Sequence, residues 1–164
     1  VNTYIALLAE AMRALAEVHK TMSYEVMLKR IYAPIEDHDG TRVLVDRLCP
    51  SGLSPSFLAL NEWYPEIAPA SQLCRQYRQQ KISQSLFLER YRRELKACPD
   101  KLLPLMRFAR AGRVTLLTAA REIEDSHLPV IKELALSALE GEDASDREFC
   151  SSPCLAHTLP TSQR

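Results

Sequence analysis

Residues 42–48 read RVLVDRL, and this stretch decides the fold. Val43, Leu44 and Val45 are apolar in succession, so both faces of the segment avoid water, as in a central strand covered by helices on each side. Cys49, Pro50, Ser51 and Gly52 end it sharply. Residues 114–118, VTLLT, repeat the pattern and predict a second buried strand.

Working outward, residues 26–32 read as a further strand, closed by a polar turn at Pro34, Asp37, Asp39 and Gly40. Residues 55–59 suggest a short helix, followed by a strand over 60–64 before Pro65 and Pro69. From Ala70 to Ala111 the pattern is helical. Ser83 or Ser85 caps a helix whose Phe87, Tyr91 and Leu95 share a face, and Cys98-Pro99 ends it. Asp100 is expected to cap the next helix, with Gly112 as its left-handed stop. Asp125 or Ser126 caps a final helix to about Leu139, with Pro129 tolerated in its first turn.

Strands alternating with helices predict an α/β fold with a small, mostly parallel sheet of three to four strands, flanked by helices. Residues 22–139 form this domain. Residues 1–21 are expected to add an N-terminal helical extension, because Tyr4, Leu8, Met12, Leu15 and Val18 recur at helical spacing. Residues 140–164 carry acids, then Ser, Pro, Thr and Gln, and read as a disordered tail.

With 164 residues, 46% apolar and 26% charged, the composition is that of a globular domain with a core large enough to need no metal or disulfide. Lys and Arg balance Asp and Glu at 21 each, which removes the general attraction to phosphate backbones and acidic membranes. Five cysteines without framework spacing point to the reducing cytoplasm. The apolar run 4–9 is too short, and too soon interrupted by Glu10, Arg13 and Glu17, to span a membrane or serve as a signal.

In open α/β sheets ligands bind beyond the carboxyl ends of the strands. One such end delivers Asp46 and Arg47, and the other delivers Thr118, Arg121, Ser126 and His127 at the start of the last helix. If the two strands are parallel neighbours, a single crevice gathers these residues with the free N–H groups of that helix, the outline of an anion site. Asp46 and His127 are the candidates for catalysis, orienting a ligand or moving protons, with His127 kept neutral by the helix terminus. Arg47, Arg121, Ser126 and Thr118 are the candidates for ligand binding. The same residues also fit a structural reading, with Asp46 and Arg47 paired to other side chains and His127 completing a cap.

Other constellations carry less. Cys150, Cys154 and His157 lack the fourth ligand of a structural zinc site, so no metal is assigned. Residues 75–96 are basic and 140–148 acidic, which are usually solvated faces. Gly-rich nucleotide loops and the common hydrolase and metalloprotease motifs are absent, so no cofactor is expected and the sequence leaves open whether the chain is an enzyme.

The segments TRVLVDRLCPSGLS, EIAPASQL, FLERYRREL and GRVTLLTAAREIEDSH, at 41–54, 66–73, 87–95 and 112–127, resemble the YeaO-like branch of domain-of-unknown-function family 488. The resemblance covers about residues 26–138 and implies a small cytoplasmic α/β domain without an established role. Asp46, Arg47, Pro50 and Gly52 match its V-D-R-L-W-P-R-G pattern, with Cys49 where it has Trp and Ser51 where it has Arg. Cys74 stands at a place that is usually Arg, and Ser126 at one that is usually Asn. The wider family carries a Cys where this chain has Thr118. The expected role is binding of, or action on, a small anionic metabolite bearing phosphate or carboxylate. The alternative is a non-catalytic interaction module for protein or nucleic acid that uses the N-terminal helix or the basic helices. Neither membrane nor nucleic acid is the expected partner, and a homo-oligomer is compatible with the sequence.

Overall fold

The computed structural model describes residues 23–149. The expected N-terminal helix, and the tail beyond residue 149 with Cys150, Cys154 and His157, lie outside them. Four strands, β1 (Val26–Arg30), β2 (Thr41–Leu44), β3 (Glu62–Trp63) and β4 (Val114–Thr118), form one sheet in the order β1-β4-β2-β3, with every pairing parallel. Among the described residues four helices accompany it: α1 (Ser71–Arg78), α2 (Gln84–Ala97), α3 (Leu103–Ala111) and α4 (Leu128–Phe149).

The two apolar runs are therefore the central strands, side by side, with Val43 opposite Leu116 and Leu44 opposite Leu117. Side chains alternate across a strand, so each run feeds two cores. Val43, Val45, Val114 and Leu116 face one way and pack with Phe87, Tyr91, Leu95, Leu105, Ile131 and Leu139 from the helices. Leu44 and Leu117 face the other way and meet Ile31 and Leu58, with Cys49, Leu53 and Leu60 around them. The expectation of helices on both faces is thus corrected. Helices cover one face, and the segment between β2 and β3 covers the other.

That segment explains why β2 is shorter than its apolar run. Val45 still donates its N–H to Leu117 (3.2 Å), but the chain then turns, so Asp46 and Arg47 leave the strand for a loop. The helix expected at 55–59 is a tight turn, closed by Leu58 N–H to Ser54 and Leu60 N–H to Pro55. β3 forms at 62–63, within the expected 60–64, and bonds from Asn61 to Arg42 and from Tyr64 to Leu44 flank it.

Ser83 caps α2 by accepting the Leu86 N–H (3.3 Å). Asp100 does not cap α3. It lies inside a 3₁₀ turn at Pro99–Leu102, where Pro99 fixes the first dihedral and no side chain serves as a cap. Gly112 ends α3 in an extended conformation rather than a left-handed one. α4 runs ten residues past the expected stop at Leu139. A lone Gly141 costs a helix only about 1 kcal/mol, and three cross-contacts hold the extension: Arg110 with Glu142 (2.7 Å) and with Asp143 (3.6 Å), and the Tyr24 hydroxyl donating to Asp143 (2.7 Å).

At the amino-terminal end of the sheet, Arg42 is 3% exposed and Asp39 5%, and the two form a buried ion pair. Lys29 donates to the other Asp39 oxygen (2.9 Å), and the Thr115 hydroxyl donates to the Asp39 backbone carbonyl (2.6 Å). Gly40 follows with φ +66°, and a Cβ there would come 2.2 Å from the Arg113 carbonyl oxygen, which accepts the Thr41 N–H. Only glycine fits that step into β2.

Candidate functional site

The carboxyl ends of β2 and β4 open into a cleft of about 860 Å³, within the usual range for small-molecule sites. Asp46, Arg47, Thr118, Arg121, Ser126 and His127 all line it, so the parallel pairing brings together the six candidate catalytic and ligand-binding residues.

Asp46 is held across the strand ends. One carboxylate oxygen accepts the Thr118 hydroxyl (2.7 Å) and the other accepts the Ala119 N–H (2.6 Å). The Asp46 carbonyl in turn accepts the Trp63 indole N–H (2.9 Å), which ties the loop to β3. Thr118 is fully engaged, because its hydroxyl oxygen also accepts the Ala120 N–H (3.2 Å).

His127 Nε2 lies 3.1 Å from the Val45 carbonyl oxygen and 3.5 Å from Asp46 Oδ1. Both neighbours are acceptors, so this nitrogen carries the hydrogen and Nδ1 is the acceptor of the neutral ring. Burial pushes the imidazole below its ordinary value against the opposing pull of Asp46 and Val45. The Tyr91 ring meets it edge-on with centroids 5.9 Å apart, and the Tyr91 hydroxyl donates to the Ile67 carbonyl (2.7 Å).

Arg47 donates from Nη2 to the carbonyls of Pro69 (3.0 Å) and Ala68 (3.3 Å). These bonds orient the guanidinium and leave Nε and Nη1 free of protein partners among the described residues. The Cys74 thiol donates to the same Pro69 carbonyl (3.7 Å), and burial raises it against the nearby charges of Arg78 and Arg47.

The helix terminus differs from the expectation of open donors. The Ser126 hydroxyl donates to the Ile123 carbonyl (2.5 Å) and accepts the Leu128 N–H (3.3 Å), and the next position, Pro129, has no N–H. Ser126 is therefore a capping residue, and the first two positions of α4 offer a ligand nothing. Any anion here rests on the arginines.

Cys74, which stands where the resembling family usually has Arg, lines the cleft, whereas sequence reasoning missed Tyr77, Arg78, Phe87, Glu122 and Asp125 as lining residues. Tyr77 and Phe87 stack with centroids 4.6 Å apart, one wall of the cleft. The excess of positive charge over residues 75–96 was the signal for Arg78, but it gave no direction for the side chain. Among the described residues no three His, Cys, Asp or Glu side chains converge to hold a metal, and no helix is long and apolar enough to cross a membrane.

Comparison with known proteins adds the following. The chain is 34% identical over 108 residues to the uncharacterized protein YeaO of Escherichia coli K12, an alignment covering 66% of this chain and 94% of that one. It is 33% identical over 109 residues to the uncharacterized proteins Rv3073c of Mycobacterium tuberculosis H37Rv and Mb3100c of Mycobacterium bovis, covering 66% of this chain and 92% of each. No solved structure matches. A family model described as the inactive DUF488-N3 subclade matches residues 25–156, nearly the whole described fold, and the chain belongs to that family.

Proposed function

We infer that the chain is a binding domain that holds a small anionic ligand in the cleft at the strand ends without transforming it. One observation carries this reading. Arg47, Arg78 and Arg121 line a single cleft, and among the described residues none of them is ion-paired, whereas Arg42, Arg92, Arg93, Arg110 and Arg113 each reach a carboxylate. A permanently charged fork with free donors is suited to phosphate or carboxylate. Of the three acids in the lining, Asp46 is taken up by Thr118 and Ala119, Asp125 accepts from the Gln84 amide (2.7 Å), and Glu122 is exposed and pairs with none of the three arginines.

The groups that would do chemistry are committed elsewhere. The Thr118 and Ser126 hydroxyls each donate and accept within the protein, the Cys74 thiol is held protonated by burial, and the His127 N–H is turned to a backbone carbonyl. Among the described residues no activated nucleophile stands beside a base. Membership of a subclade described as inactive supports the same reading. Asp46 and His127 are then positioning residues that shape the cleft floor.

The test is a thermal-shift screen of the purified chain against inorganic phosphate, phosphorylated metabolites and small carboxylates, with Arg47→Ala alongside. A ligand at a hundred times its Kd stabilises by about 2.7 kcal/mol, worth several degrees here. The expected result is a shift that Arg47→Ala abolishes and an anion recovered unchanged after long incubation. A shift that Arg47→Ala retains, or turnover of the bound compound, overturns the reading.

A further inference from the structure

The outer wall of the cleft carries a second recess. Arg78 lines the cleft and also, with Ser71, Arg75 and Gln79, a recess of about 320 Å³. Arg75 and Arg78 are three residues apart on α1, so their side chains leave the helix as neighbours on one face, about one turn apart. Both are exposed, and among the described residues neither is ion-paired. On the cleft side, the charges of Arg78 and Arg47 both bear on the Cys74 thiol. Glu94, whose charge also reaches Cys74, accepts the Ala70 N–H (3.1 Å) and forms no ion pair with either arginine.

Arg47, Arg78 and Arg75 therefore follow one another from the cleft, across α1, to the recess. Unpaired guanidinium groups in such a row repel one another in the empty protein, and a ligand's negative charge relieves that repulsion along with making its own bonds. One phosphate or carboxylate can occupy only part of the row. We propose that the ligand carries two anionic groups on a short connection, one held in the cleft by Arg47 and Arg121 and the other in the recess by Arg75, with Arg78 between them. This rests on the anion-binding reading of the cleft and extends it to a second subsite on the outer side of α1. Ser71 and Gln79 supply neutral hydrogen bonds at that subsite.

Isothermal titration of the full chain at constant ionic strength tests it, with inorganic phosphate and tripolyphosphate as the probes. Tripolyphosphate should bind more tightly by about tenfold or more, the worth of one charge-assisted hydrogen bond. Arg75→Ala should erase that advantage and leave phosphate affinity unchanged, whereas Arg47→Ala should weaken both. Arg107→Ala, at an exposed arginine on α3 with no ion pair among the described residues, should change neither. Circular dichroism melts confirm that each variant is folded. The second subsite is overturned, with the cleft reading intact, if Arg47→Ala weakens phosphate but tripolyphosphate binds no better than phosphate. It is equally overturned if Arg107→Ala lowers tripolyphosphate affinity as much as Arg75→Ala does. If neither probe binds, both readings fall.

Discussion

The Asp46 carboxylate bridges the ends of the two central strands, accepting the Thr118 hydroxyl at 2.7 Å and the Ala119 N–H at 2.6 Å. This links the loop after β2 to the last residue of β4, and it sets the shape of the cleft floor. Removing the carboxylate strands a hydroxyl and a backbone donor together. Asp46→Ala should lower stability in urea by about 2–3 kcal/mol, and Thr118→Val by about 1–2 kcal/mol. The double variant should cost clearly less than the sum of the two, because the shared bond is lost only once. Strict additivity would show that the two side chains do not work as a unit.

His127 gives a pH dependence of defined sign. Its ordinary value of 6.5 applies in the unfolded chain, and burial lowers it in the fold. Unfolding therefore takes up a proton as pH falls through that region. The stability tied to the neutral ring is complete above 6.5 and is lost progressively below it. His127→Gln keeps an N–H donor for the Val45 carbonyl but cannot titrate. The melting temperatures of wild type and His127→Gln should differ most near pH 7.5 and converge toward about pH 5.5. Parallel curves across that window would show that the ring does not titrate differently in the fold.

The core strands and the meeting of the candidate residues in one cleft were legible for a shared reason. Continuous apolar runs at 43–45 and 114–118 announce burial on both faces, and two buried parallel strands of a small sheet lie next to each other, which brings the Asp46 carboxylate within reach of the Thr118 hydroxyl. What covers each face was not legible. An apolar side chain records that water is excluded, not whether a helix or a loop excludes it, so Leu58 and Leu53 did not declare that the 46–61 segment folds over Leu44 and Leu117. The end of α4 was missed because acidic residues there suggested solvent, while its partners Arg110 and Tyr24 lie far away in the chain. The free N–H groups expected at the same helix failed on local chemistry that the sequence did contain, a capping serine followed by a proline.

Asp39 and Arg42 were equally invisible, since burial of a charge is a tertiary property. Arg42 pairs with Asp39 and donates to the Leu58 carbonyl (3.2 Å), while Lys29 holds the second Asp39 oxygen. Breaking such a network from one side leaves an uncompensated buried charge. Asp39→Ala should cost about 3–5 kcal/mol, measured by urea denaturation. Asp39→Ala combined with Arg42→Met should recover part of that loss, because the orphaned guanidinium is gone. A double variant less stable than Asp39→Ala alone would assign Arg42 a role beyond neutralising Asp39.

Two glycines separate steric need from mere tolerance. Gly40 has φ +66° and a site where a Cβ would lie 2.2 Å from the Arg113 backbone oxygen, so neither the conformation nor the neighbour can yield cheaply. Gly40→Ala should destabilise by about 2–4 kcal/mol, combining left-handed strain with overpacking against main chain. It should also disturb the amino-terminal start of β2, since Thr41 bonds to that same oxygen. Gly141 sits inside α4 with open space where a Cβ would go. Gly141→Ala should stabilise by about 0.5–1 kcal/mol by removing backbone freedom from the unfolded chain. Equilibrium unfolding in urea checks both, and a Gly141→Ala variant that is neutral or destabilised would mean that the last turns of α4 are not helical in solution, because only a residue held in the helix benefits from the exchange.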